Sequence, residues 1–118
     1  MKNFSTFSSN NDARTELHNA MNLTGCEISV NTLPAGACVP FVHFHKNNEE
    51  VYFVFSGSGY VEIDGEKIEL RKGDFVRISP QAKRQFFASD NCKISFICIQ
   101  TKENSLQGFT ADDAVLVQ

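Results

Sequence analysis

The chain has 118 residues, 42 % of them hydrophobic, and a formal net charge of −3. That length suits one domain, residues 1–118, with one buried core. The mild negative charge gives no electrostatic basis for nucleic acid binding, and no apolar run is long enough to span a membrane.

Residues 1–10 are rich in Ser and Asn. The first six lack the apolar core of a secretory leader, so a cytoplasmic location is expected. Asn11 or Asp12 can cap a short helix over about residues 12–23. Ala13, Leu17, Ala20 and Met21 would share one helical stripe there, with His18 beside it as a surface histidine. Thr24-Gly25 would end the helix. Residues 27–33 alternate polar and apolar, which predicts a strand. Glu27, Ser29 and Asn31 share one face of it, either a solvent-facing edge or a polar wall of a pocket.

Pro34-Ala35-Gly36 turns the chain into the stretch that carries the chemistry. His43 and His45 are two apart, and on a strand that spacing puts both imidazoles on one face. Lys46 to Glu49 read as a turn, and residues 51–55 as the returning strand, rich in aromatic and β-branched residues. Glu50 sits where the chain re-enters the sheet. Two imidazoles and a carboxylate converging there would suit a divalent transition metal and leave coordination positions open. Inward parity for Glu50 also turns Tyr52 and Val54 inward, placing the Tyr52 hydroxyl near the site as a tentative catalytic group. Val51, Phe53 and Phe55 would then point outward.

Ser56-Gly57-Ser58-Gly59 reads as a tight turn. Residues 60–70 read as a hairpin whose Asp64-Gly65 suits a type I′ turn. Strands are expected over 75–78, from Arg84 to Ser89, and from Lys93 to Gln100. Thr110 to Asp113 can form a single helical turn, and residues 115–117 can add an edge strand. This spacing of strands and turns predicts an all-β barrel or sandwich. Cys26, Cys38, Cys92 and Cys98 form no Cys-x-x-Cys pair, and reduced thiols are expected of a cytoplasmic chain. Cys98, in an apolar run, reads as a small core residue.

The stretch around His43 resembles the first motif of the cupin superfamily: Gly, a spacer, His-x-His, three or four residues, Glu, six residues, Gly. Here Gly36 precedes His43-Phe44-His45, Glu50 follows, and Gly57 closes the pattern. Glu49 should face away. The second motif has its counterpart from Gly73 to Ala88, and it lacks the family's histidine. Counting from Gly73 puts Arg84 at that position; counting from Pro80 puts Gln85 there. The resemblance covers about residues 25–100 and implies a cupin-type β-barrel (a double-stranded β-helix, or jelly roll). A short N-terminal helix and a C-terminal extension over about 101–118 would flank it.

It further implies one divalent metal on His43, His45 and Glu50, with Zn, Ni, Fe and Mn all compatible. An enzyme of this type would be a metal-dependent oxygenase, or an isomerase or lyase. The alternative is a non-catalytic cupin that binds or senses a small molecule, possibly metal-free with Arg84 paired to Glu50. With metal and Arg84 both present the site would be net positive. Arg84 and Gln85 are therefore the candidate contacts for a small anionic ligand. Small barrels cover edges and apolar faces by associating, so a homodimer is expected.

Overall fold

The computed structural model describes residues 2–10 and 12–117. Seven strands follow in order: β1 Arg14–Glu16, β2 Glu27–Leu33, β3 Asn48–Ile63, β4 Glu66–Arg71, β5 Phe75–Ile78, β6 Arg84–Ala88 and β7 Ile94–Lys102. All pairings are antiparallel. A short helix α1, His18–Met21, lies between β1 and β2, and a 3₁₀ turn spans Thr110–Asp112. Among the described residues, no helix is long and apolar enough to cross a membrane.

The long strand β3 organises the barrel. Its first half lies between β7 and β5, with Glu50 opposite Gln100 on one side and Ile78 on the other. Its second half lies between β4 and β6, with Val61 opposite Ile68 and Phe86. One strand thus belongs to both layers. The sequence reading placed a tight turn at residues 56–59, and the structure corrects it. The chain runs on as a strand, with a register shift between Val54 and Ser56. A bulge of this kind bends a strand without ending it. It also changes which positions face inward: Glu50, Tyr52 and Val54 before it, Gly59 and Val61 after it. Gly57 has φ +76°, and a Cβ there would lie 1.8 Å from the Lys93 carbonyl oxygen. Only glycine lets the two backbones approach so closely.

The expected N-terminal helix is also corrected. Arg14–Glu16 is a strand opposite Ser29–Asn31, and the helix is a single turn. The β2 edge offers Arg14, Thr15 and Glu16 a hydrogen-bonded ladder, which outweighs a weak helical stripe. Of the two proposed caps, Asn11 lies outside the described residues. The hairpin turn is as expected, with Asp64 at φ 50° and Gly65 at φ 83°. Residues 115–117 form no strand and are exposed.

The core lies between the layers and draws Tyr52 and Val54 from β3, Phe86 and Ala88 from β6, and Ile94, Phe96 and Cys98 from β7. Phe86 stacks on Phe96 with ring centroids 4.9 Å apart, and Tyr52 lies 4.2 Å from Phe86. These three rings pack together in the interior.

Candidate metal centre

Glu50, Tyr52 and Val54 are buried, and Phe55 is exposed, as the parity of a strand requires. His43 and His45 reach the same place from a segment that is not a regular strand. Its backbone is pinned at two points. His43 and Arg84 exchange N–H···O bonds of 3.1 and 2.9 Å, and the His45 N–H donates to the Pro80 carbonyl at 2.8 Å. These bonds hold the imidazoles edge to face, with centroids 5.2 Å apart.

One potential ligand atom from each of His43, His45 and Glu50 lies within 4.8 Å of the others. His43 Nδ1 and His45 Nε2 are buried without hydrogen-bond partners. His45 Nε2 lies 3.1 Å from Glu50 Oε2, but not at an angle that makes a hydrogen bond. Two lone nitrogens converging on a carboxylate are the donor set a divalent transition metal takes. The residues therefore fit the group. Burial lowers the pKa of His43, and the charges of His45, Arg84 and Arg14 add to this against the opposing effect of Glu50. A lowered pKa favours the neutral imidazole that ligation requires.

Glu50 is held on every side. The Tyr52 hydroxyl donates to Oε1 at 2.7 Å, and the Cys98 thiol donates to Oε2 at 3.3 Å. Arg84 Nε lies 3.5 Å from Oε1. Burial pushes the Tyr52 hydroxyl and the Cys98 thiol well above their ordinary pKa values, and Glu50 raises both further; Cys98 also raises Tyr52, whereas the bond with Tyr52 works against the rise of Cys98. Both therefore stay protonated and act as donors to Glu50 at neutral pH. Glu49, on the outer face, pairs with Arg77 at 2.8 Å.

The site opens into a cavity of about 440 Å³. Leu33, Val39, Phe86 and Phe96 form its apolar side, and Arg14, Ser29, Asn31 and Gln100 its polar side. Ser29 and Asn31 are buried, so the polar face of β2 is a pocket wall and not a solvent edge. Arg84 and Gln85 do not line this cavity. Arg84 is fully buried behind Glu50, and its terminal nitrogens donate to the carbonyls of Ser79 and Pro80. Gln85 Nε2 donates to the Val39 carbonyl at 2.7 Å. The remaining Arg84 Nε has no hydrogen-bond partner and lies 3.5 Å from Glu50 Oε1, so the structure brings neither expected anion contact to the cavity lining. The sequence reading also missed polar groups of the cavity, Gln100 and Arg14 among them. Gln100 was legible by parity, since Phe96, Cys98 and Gln100 share a face of β7. Arg14 was hidden by the helical reading of its segment.

Residues 29–100, well over half of the chain, match the family described as Cupin domain. This chain belongs to the cupin family. The cupin is 54 % identical to a cupin protein from Bacteroides fragilis of known crystal structure, with a TM-score of 0.97 over 100 % of both chains. A predicted oxalate decarboxylase from Thermotoga maritima shares the fold at 20 % identity and TM-score 0.60, over 64 % of each chain. A sugar phosphate isomerase from a cupin superfamily, from Silicibacter pomeroyi, does so at 20 % identity and TM-score 0.66, over 76 % of this chain and 60 % of that one. Among curated proteins, uncharacterized protein MJ1618 of Methanocaldococcus jannaschii is 32 % identical over 57 residues. That match covers 48 % of this chain and 46 % of the relative, so it spans about half of each.

Proposed function

We propose that this cupin holds one divalent metal on His43, His45 and Glu50 and uses it to bind a small anionic metabolite in the cavity. The observation that carries the reading is the convergence of two partnerless, buried imidazole nitrogens on a buried carboxylate beside a cavity. When bound, the metal would supply Lewis-acid attraction for an oxygen of the ligand. Tyr52 and Cys98 would orient Glu50 by hydrogen bonds, as outer groups commonly orient metal ligands. Tyr52 is thus a positioning residue in this reading. Arg84 adds positive charge from behind the wall, and with the metal it outweighs the single charge of Glu50. The apolar side would exclude water and select a compact molecule. Two relatives of the same fold are named for oxalate and for sugar phosphates, both anions, though at their identity the likeness speaks for fold alone.

One observation favours a second reading, a metal-free binding cupin. Arg84 already balances Glu50, and His45 approaches the same carboxylate. The four free cysteines suit a reducing compartment such as the cytoplasm. Exposed Phe41, Val42, Phe44 and Phe75 favour association into a dimer.

The test is calorimetric titration of acetate and oxalate into protein loaded with zinc and into protein stripped by chelator. The account expects binding to the loaded form and none to the stripped form. Equal binding to both would support the metal-free reading. No binding to either would overturn anion binding altogether.

A further inference from the structure

The cavity has a charged group besides Glu50. Among the described residues, Arg14 is the one lysine or arginine side chain that lines it. Arg14 stands opposite Asn31 across the β1–β2 ladder. Its Nη1 donates to Asn31 Oδ1 at 2.6 Å, and Asn31 Nδ2 donates to Ser29 Oγ at 2.9 Å. Asn31 and Ser29 are both buried, at 7 % and 3 % exposure, so the chain of bonds that aims the guanidinium is fixed in the cavity wall. The other contact of Arg14 is with Glu16, Nη2 to Oε2 at 3.1 Å, between side chains more than half exposed. An exposed pair of that kind is weak and gives way readily to a better partner. A guanidinium has five N–H donors, and these contacts use two of them.

We infer that Arg14 is a specificity-determining residue that binds a second anionic group of the ligand, a carboxylate or phosphate, apart from the oxygen held at His43, His45 and Glu50. The inference rests on the proposed function and narrows it. The ligand has an oxygen-bearing head for the metal, a short body against Phe86 and Phe96, and an anionic tail at Arg14. Guanidinium suits such a tail because its fork matches the paired oxygens of carboxylate and phosphate. The role that sequence spacing offered to Arg84 falls to Arg14, because Arg84 is sealed behind Glu50 and Arg14 faces the cavity.

The test compares acids of equal length with and without the second carboxylate. Succinate and glutarate are titrated against butyrate and valerate into zinc-loaded wild type, Arg14→Gln and Arg14→Lys, with zinc content measured for each. Wild type is expected to bind the better dicarboxylate about tenfold more tightly than its monocarboxylate, the scale of one charge-assisted hydrogen-bonded pair. Arg14→Gln should lose that preference while keeping zinc and monocarboxylate affinity, and Arg14→Lys should keep part of it. Equal binding of both acids by wild type overturns the inference and leaves the proposed function standing. Loss of monocarboxylate binding or zinc in Arg14→Gln also overturns it, since Arg14 would then be structural. Failure of wild type to bind any of the four acids overturns the proposed function and the inference together.

Discussion

Arg84 and Glu50 meet behind the cavity wall, Nε 3.5 Å from Oε1, with the arginine fully buried and the glutamate 2 % exposed. A buried carboxylate needs compensation, and Arg84 is the fixed charge that supplies it. In metal-free protein, Arg84→Met should cost about 3–5 kcal/mol of stability, the usual consequence of stranding one member of a buried pair. Adding Glu50→Gln should recover much of the loss. Urea unfolding of the single and double variants measures this. Zinc should shrink the effect of Arg84→Met, because a metal on Glu50 offsets the same charge.

The bend of β3 depends on Gly57. Replacing it by Ala forces a Cβ to within 1.8 Å of a backbone oxygen, at positive φ. The expected cost is more than about 2 kcal/mol, from strain and displaced backbone together. Gly25→Ala is the control, since a Cβ there meets nothing within 4 Å. Denaturant midpoints of the two variants should differ clearly, with Gly57→Ala the lower.

His43 sets a pH dependence in chelated protein. Burial holds its folded-state pKa below the ordinary imidazole value. As pH falls, the unfolded chain takes up this proton first, so acid favours unfolding. The contribution of neutral His43 is present above the unfolded pKa and is lost as pH falls from there toward the lower folded value. The slope of stability against pH over that window should be shallower in His43→Gln than in wild type. Urea midpoints at intervals from pH 8 to pH 5 provide the check.

The parts of the fold that strand periodicity controls were legible in the sequence. The Asp64-Gly65 turn and the inward set Glu50, Tyr52 and Val54 follow from local chemistry and a period of two. The His-x-His and Glu spacing drew attention to three residues that the fold does bring together. What was not legible depends on partners distant in sequence. Arg14–Glu16 is a strand only because β2 offers an edge, and nothing local distinguishes it from a weak helix. The bend at Val54 and Ser56 looks like a turn until β7 is seen to run past it. Whether Arg84 or Gln85 faces inward depended on register, which the His43–Arg84 backbone bridge and the pairing of Ile63 with Arg84 decide. Even the correct parity did not reveal that Arg84 is walled off by Glu50, because depth is a property of the packed layers.

The central claim is the metal on His43, His45 and Glu50, and metal content tests it most directly. Wild type, His43→Ala and His45→Ala are purified without chelator or a nickel column, and their metals are measured by elemental analysis alongside circular dichroism. The account predicts about one equivalent of divalent metal per chain in wild type and a sharp loss in both variants with the β-rich spectrum retained, since a three-residue site tolerates no missing ligand well. Full occupancy retained in both variants, or wild type that takes up no divalent metal even when zinc is supplied in excess, would contradict it.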